Sequence, residues 1–326
     1  MTHGARPDLA VGIDVGGTKI MAGLVDGEGR ILRRSRTTSH AERPPLEVIA
    51  AIERLHAELT AVAGEVAAVG VGFAGNLDAE RGEVLVSSNL PAWDHFPLRA
   101  TLQRRLGVAV ALDNDVNMAV VAEHRFGAGR GCRNLCFLTV STGLGIGIIV
   151  DGRVYAGRGS AGELGHVVIE LDGAPCTCGK RGCIMAYASG IGVSRMVYEA
   201  VKSGRAPGLR RLLPGDGSRV PVQAVAAAAR HGDAVADEIL TTAGRYTGVA
   251  LSIVVQMLDP EVIVIGGGLT RLGDALLEPA RDAMRRHTQA QLLEAVRVLP
   301  SRLGADLGML GAAARALESR EEPIDA

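Results

Sequence analysis

The sequence predicts an α/β fold made of two similar domains, and three observations carry that expectation. Apolar runs of strand length alternate with helical periodicity, a strand–glycine turn–strand–Asp-Gly–strand pattern occurs twice, and buried strands end in polar clusters. The 326 residues are enough for two ordinary domains with well-buried cores. Hydrophobic residues make up 47% of the chain, which argues against disorder, and aromatics only 3%, so the core must be built of Val, Leu, Ile and Ala. The 43 glycines point to tight turns and to ligand sites lined by backbone.

Each element follows from local pattern. Residues 9–13 are a short apolar run ending at Asp14; Gly16-Gly17-Thr18 follows, then an apolar stretch at 20–25, the turns Asp26-Gly27 and Glu28-Gly29, and a third strand at 30–36. This is a strand meander. Its glycines lie between two strands, whereas P-loop and dinucleotide-binding glycines open a helix, so it reads as neither motif. Leu46, Ile49, Ile52, Leu55, Leu59 and Val62 recur every three or four residues and predict an amphipathic helix that stops near Gly64. Buried strands at 66–73 and 108–112 run into Gly75-Asn76 and Asp113-Asn114-Asp115, and a helix is predicted over about 116–126, ending at Gly127.

From 135 the meander repeats: a strand at 135–140, Thr142-Gly143-Leu144-Gly145, a strand at 146–150, the Asp151-Gly152 turn and another strand. Asp14 and Ser141 hold matching places, which reads as an internal duplication with two similar α/β domains facing each other. Two unrelated glycine hairpins are the simpler alternative. A long helix is predicted at 234–258, closed by Asp259-Pro260, with Gly244 and Gly248 inside it for close packing. A buried strand at 262–265 enters Gly266-Gly267-Gly268, and the final helix is predicted at about 311–317, with a frayed tail at 318–326.

Charge excludes some function classes. Lys plus Arg total 35 against 36 for Asp plus Glu, the net charge is -1, and there is no long basic run, so nucleic acid is not an expected partner. The arginines at 30–36 read as a solvated strand face. No apolar run approaches the ~18 residues that span a membrane, and residues 1–9 lack the apolar centre of a signal peptide, so no membrane partner and a cytoplasmic location are expected. The five cysteines agree, since three are spaced like metal ligands rather than disulfides.

Three groups of residues carry chemistry. A glycine hairpin exposes backbone N–H groups that can form an anion site. Thr18 and Thr142 add hydroxyls, Lys19 a positive charge, and Asp14 a carboxylate that could hold magnesium through water. One such hairpin is usually only a turn; two of them, with Gly266-Gly267-Gly268, would clamp a polyphosphate from both sides. Cys176, Cys178 and Cys183 fall within eight residues, and His166 lies ten residues before the first. Thiolates and an imidazole are the ligands of a structural tetrahedral zinc site, the alternative being buried free thiols and an unrelated histidine. Cys132 and Cys136 read as core thiols. Asp113-Asn114-Asp115 sits where a strand becomes a helix, a favoured binding place in α/β folds. It serves equally as a helix cap or as the carboxylate that takes a hydroxyl proton in phosphoryl transfer, with Asp115 the choice for that base.

Together these segments resemble the ROK family (repressors, open reading frames and sugar kinases) of the sugar kinase/actin/Hsp70 superfamily, most of all its bacterial glucokinases. The resemblance rests on Asp14-Val15-Gly16-Gly17-Thr18-Lys19, Asn114-Asp115, Ser141-Thr142-Gly143-Leu144-Gly145, Glu163-Leu164-Gly165-His166, the run from Cys176 to Cys183, and Asp259-Pro260 with Gly266-Gly267-Gly268, nearly end to end. It implies two RNase H-like α/β domains flanking a central cleft. The expected division is an N-terminal domain over 1–116, with a C-terminal helix at about 305–326 packing back on it, and a C-terminal domain over 117–304 holding the zinc motif.

The activity implied is ATP-dependent phosphorylation of the 6-hydroxyl of glucose or a glucose-like hexose, with ATP and Mg2+ bound and a structural Zn2+. Asp115 would be the catalytic base. Asn114, Glu163 and His166 would meet sugar hydroxyls, with Gly75, Asn76 and Asn89 lining the same pocket; alone, Asn76 and Asn89 fit turns and Glu163 a solvated charge. Asp14, Gly16, Gly17, Thr18, Lys19, Thr142, Gly143, Gly145, Gly267 and Gly268 would bind the nucleotide and its metal. His166, Cys176, Cys178 and Cys183 would hold zinc, His166 turning its other ring nitrogen to the sugar. A homodimer or homotetramer is expected.

One position departs from the family. The zinc motif is typically followed by a hydrophobic residue and a glutamate that touches the sugar; here it is followed by Ile184-Met185. A thioether cannot replace a carboxylate acceptor, so three outcomes stay open: weaker glucose binding, an amino- or N-acyl-hexose as substrate, or another residue filling in. Two rivals remain. A family repressor carries an extra N-terminal helix-turn-helix, for which thirteen residues before Asp14 are too few. A catalytically weak sugar sensor has only Met185 in its favour.

Overall fold

The structure is a computed structural model that describes residues 6–39, 43–63, 66–87, 90–215, 217 and 219–321. In chain order the strands and helices are β1 (Arg6–Val15), β2 (Lys19–Asp26), β3 (Ile31–Thr38), α1 (Pro45–Ala63), β4 (Val66–Phe73), β5 (Asn76–Asp78), β6 (Glu83–Val86), α2 (Leu98–Leu106), β7 (Val110–Asn114) and α3 (Asp115–Arg125). Then come β8 (Leu135–Val140), β9 (Leu144–Val150), β10 (Arg153–Val154), α4 (Gly190–Lys202), α5 (Val222–Arg230), α6 (Ala234–Leu258), β11 (Val262–Gly266), α7 (Asp274–His287), α8 (Ala290–Ala295), β12 (Arg297–Pro300) and α9 (Leu307–Glu321). By their contacts these form two compact units. The first comprises Met1–Leu135, Gly147–Ala161 and Ser301–Ala326, the second Cys136–Ile146 and Gly162–Pro300.

Two five-stranded sheets share one topology: β3-β2-β1-β4-β7 and β10-β9-β8-β11-β12. In the first, β1–β3 run antiparallel, and β4 and β7 continue the sheet in parallel. In β1, alternate residues take opposite faces. Val11, Ile13 and Val15 join the core that contains Ile49, Ile52 and Leu55 of α1, whereas Ala10 joins Leu310, Ala313 and Leu317 of α9. The second face is built of glycine where α9 lies on it. A side-chain carbon on Gly12 would stand 1.9 Å from the Met309 carbonyl oxygen, and one on Gly70 would stand 1.7 Å from that of Ala312.

In the second unit, α6 spans the residues its periodicity predicts, and Gly244 and Gly248 allow the expected close packing. Their missing side chains would meet the backbone oxygens of Leu276 and Ala280 on α7 at 2.5 and 2.1 Å. Cys132 and Cys136 are buried, as expected of core thiols, and burial pushes the Cys136 thiol up to about 12.

Several elements differ from expectation. The strand placed at 108–112 runs at Val110–Asn114, so strand passes into helix with no loop between; pairing with β4 through Phe73 and Asn114 carries it there. The third strand of the repeated meander has only two residues. Leu46 and Val62, read as core positions of α1, are exposed at its two ends, while Val48 and Ala51 are buried. The final helix is longer than 311–317, starting at Leu307 and including 318–321, which were read as frayed; Arg125 of α3 pairs with Glu318 there at 3.6 Å. Asn89, Gly64 and 322–326 lie outside the described residues. The arginine-bearing strand β3 is largely exposed, and its Arg33 and Arg34 pair with Glu58 and Asp306. Among the described residues no helix is long and apolar enough to cross a membrane.

Candidate functional site

In the first unit, polar residues gather at the ends of β1, β4 and β7. Asp14 is the penultimate residue of β1, and its neighbour in the parallel strand is Gly72. Its carboxylate lies against the first turn of α9: a side chain on Gly308 would come within 2.7 Å of it. Burial pushes the Asp14 carboxyl up to about 6, partly opposed by Lys19. Beyond Val15, the turn closes through Gly16 N–H donating to the Lys19 carbonyl at 3.1 Å. A side chain on Gly16 would meet only that oxygen, at 3.5 Å, which is ordinary contact. The packing of the fold therefore does not demand glycine there.

Asn114 is the N-cap of α3. Its Oδ1 accepts from Val116 N–H at 2.8 Å, and its Nδ2 donates to the Gly75 carbonyl at 2.9 Å. The structure thus brings Asn114 and Gly75 together, with the exposed Asn76 next in the chain. Asp115 is the first residue of α3 and is half-buried; its Oδ1 accepts from Val116 N–H at 3.0 Å. Asp113 is buried, and its Oδ1 accepts from Asn114 N–H at 2.7 Å and from Asn117 Nδ2 at 2.8 Å; burial holds its carboxyl above the usual range. Asp113 is therefore engaged at the strand–helix junction, and Asp115 opens the helix that follows it.

In the second unit, the hairpin between β8 and β9 closes through Ser141 N–H donating to Gly143 at 2.9 Å. Two N–H groups of α4, from Gly190 and Ile191, donate to the carbonyls of Ser141 and Thr142 at 2.8 and 3.2 Å. Gly267 packs on the same hairpin: it takes φ 100°, and a side chain there would stand 2.4 Å from the Val140 oxygen. Gly268 follows, 3.6 Å from Ser141 Oγ by the same measure. Thr142, Gly143, Gly145, Gly267 and Gly268 thus belong to one corner. Met185 is buried there, its sulfur 3.3 Å from where a side chain on Gly143 would begin and its Cβ 3.4 Å from that on Gly165.

His166, Cys176, Cys178 and Cys183 converge. Each offers a ligand atom, and these atoms lie within 4.8 Å of one another. His166 Nδ1 is 3.7 Å from Cys176 Sγ, and Cys178 Sγ is 3.7 Å from Cys183 Sγ. A zinc tetrahedron with Zn–S bonds of ~2.3 Å has edges of roughly 3.7 Å, so the donor set and its spacing fit that ion. Burial and the neighbouring thiols push Cys183 up to about 12, so it stays protonated unless a cation takes the proton's place. The other nitrogen of His166, Nε2, faces Glu163 Oε2 at 3.8 Å. Glu163 is exposed.

Two contributors escaped the sequence. Gly308 admits the Asp14 carboxylate, and no local signal marks it, because a glycine at a helix start reads as a turn. The α4 N-terminus does carry one, the Ser189 N-cap, which accepts from Gly192 N–H at 3.0 Å.

A family model described as the ROK family matches residues 10–319. The chain belongs to the ROK family. This ROK protein is 36% identical over 309 residues to the glucokinase of Thermotoga maritima, covering 93% of this chain and 95% of that one. It is 33% identical over 313 residues to the bifunctional enzyme NanE/NanK of Brucella melitensis, covering 95% of this chain but 54% of the longer protein. A solved ROK family glucokinase from Streptomyces griseus, in complex with glucose and AMPPNP, matches with TM-score 0.79 and 36% identity over 95% of this chain and 99% of that one. The family resemblance and the duplicated α/β fold expected from the sequence are both borne out.

Proposed function

We propose that this ROK protein transfers the γ-phosphoryl group of ATP to the 6-hydroxyl of glucose or a glucose-like hexose. The observation that carries the reading is the half-buried Asp115 carboxylate beside a fixed Asn114 amide, in a chain alike over nearly its whole length to a glucokinase solved with glucose and AMPPNP. Asp115 accepts the hydroxyl proton as the oxygen attacks phosphorus. Asn114 has one N–H engaged by Gly75 and one lone pair engaged by Val116, which leaves one of each for a sugar hydroxyl. Gly75 and Asn76 are hexose contacts offered by the first unit, and Glu163 and His166 those offered by the second.

In the first unit the N–H groups of Gly17 and Thr18 and the Lys19 ammonium hold phosphate, with Gly16 leaving room for it; in the second unit the N–H groups of Thr142, Gly143, Gly145, Gly267 and Gly268 do so. Asp14 would hold a magnesium ion, which when bound would offset the charge of the phosphates. His166 Nδ1 and the thiolates of Cys176, Cys178 and Cys183 hold a zinc ion, which fixes the loop bearing Glu163 and His166.

A second reading, a kinase for an amino- or N-acyl-hexose, is favoured by the buried Met185, which stands where the family typically has a carboxylate. Coupled ADP release measured with glucose, mannose, glucosamine and their N-acetylated forms separates the two. The highest kcat/KM is expected with glucose. A preference for an N-acetylated hexose selects the second reading, and hexose binding without ADP release would replace both with a sugar sensor.

A further inference from the structure

Segment 167–184 of the second unit is a ribbon. Val168 faces Cys183 and Pro175 faces Arg181; Ile169 N–H donates to Gly182 at 2.9 Å, and Gly182 N–H to Ala174 at 2.8 Å. The ribbon carries all three cysteines of the ligand set, and His166 immediately precedes it. Its end at Cys183 and Ile184 is buried, but its first strand carries little apolar burial: Val167, Val168 and Leu171 are 40%, 44% and 89% exposed.

A polar cluster outside the proposed reaction sits at its base. Glu170 accepts from two phenols, Tyr187 onto Oε2 at 2.6 Å and Tyr246 onto Oε1. The Tyr187 hydroxyl also accepts the Ala174 N–H at 2.7 Å. The two rings stack with centroids 4.3 Å apart. The Arg195 guanidinium lies 5.5 Å over the Tyr187 ring and donates to the Ala186 carbonyl. The Tyr187 and Tyr246 hydrogen bonds hold the Glu170 carboxyl below its usual range, so it stays ionised as an acceptor. Tyr246 stands on α6 and Arg195 on α4, so one carboxylate ties the ribbon to the longest helix of its unit.

We propose that Glu170, Tyr187 and Tyr246 are positioning residues for the His166–Cys176–Cys178–Cys183 set: they hold the ribbon in its metal-binding shape before an ion arrives. An ordered site binds more tightly because less conformational freedom is lost on binding. The same clamp fixes the loop of Glu163 and His166, and this part rests on the kinase reading above.

The test uses the full chain loaded with zinc. Tyr246→Phe and Glu170→Gln keep the shape of the side chains and remove one or both strong hydrogen bonds. Zinc loss to excess chelator, followed with a metallochromic dye, is expected to accelerate roughly tenfold in each, as for other groups that orient metal ligands. Tyr155→Phe, at an exposed phenol in the other unit, should leave the rate unchanged. Hexose KM should rise while kcat stays within about twofold, the pattern of lost binding rather than lost chemistry. Zinc loss at the parent rate in both variants would overturn the clamp, as would purified parent protein that takes up no zinc. Faster zinc loss in a chain that phosphorylates no hexose would leave the clamp standing and remove the kinase reading alone.

Discussion

The two sheets have the same strand order, yet their strand ends carry different chemistry. In the first, β1 ends in Asp14-Val15, and β7 passes through Asn114 into Asp115. In the second, Ser141 follows β8, and β12 ends in Pro300, followed by Ser301, which donates to the buried Glu123. Pro300 pairs with Ile265 much as Asn114 pairs with Phe73, so Ser301 stands where Asp115 stands in the other sheet. The third strand has eight residues in one sheet and two in the other. The two sheets share the backbone order that sets these strand ends and glycine turns, while the strand-end carboxylates Asp14 and Asp115 stand in one of them. On the proposed kinase reading that suffices, because a single phosphoryl transfer needs one base and one carboxylate for the magnesium.

That division can be broken by substituting matched places. The largest effect is expected for Asp115→Asn: kcat falls roughly a thousandfold with hexose binding retained, as for a lost general base. Ser301→Ala should leave kcat within about twofold. Coupled ADP release and calorimetric hexose titration measure the pair; similar losses in both would mean that the two ends are not divided in this way.

The next effect concerns Asp14 and its counterpart Ser141. The native Asp14 carboxyl titrates near 6, above its value in an unfolded chain, so ionising it costs the folded state stability as pH rises from about 4 through 6. Asp14→Asn removes that cost. Without nucleotide or magnesium, the variant should be more stable than the parent by about 3 kcal/mol above pH 7, with the difference shrinking towards pH 4. Ser141→Ala should show no such pH-dependent gain. Thermal melts across that range decide it; a pH-independent difference for Asp14→Asn would assign its effect to packing against Gly308 instead.

The smallest effect is expected at Met185. If glucose is the substrate, Met185→Glu should lower its KM by up to about tenfold, a hydrogen bond to a charged group. An unchanged glucose KM discards the idea that the methionine weakens glucose binding, and a loss confined to N-acetylated hexoses points to an acyl group packed on the thioether.

Much of this was legible in the sequence because it is local. The two glycine hairpins, the bounds of β4, β8 and α6, and the spacing of His166, Cys176, Cys178 and Cys183 need only near neighbours in the chain. Where reading failed, distant partners decided. Local pattern starts the final helix only at Gly311 because Gly308 disfavours helix in isolation, whereas the family resemblance implies about 305–326; Gly308 and Gly311 are glycine because the Asp14 carboxylate and the Met118 carbonyl lie where side chains would go. The strand before Asp115 was set too early because its end depends on pairing with β4.

The sequence by itself determined that the chain carries a repeated meander, aliphatic helices and strands, and a four-residue ligand set, since periodicity and spacing are properties of the chain alone. Only the tertiary structure decided that α9 lies on glycines of β1 and β4, that Asp113 is buried at the strand–helix junction, and that Glu170 joins Tyr187 to Tyr246. Those contacts join residues up to hundreds of positions apart, and a linear pattern holds no record of which distant groups folding will bring to within a hydrogen bond.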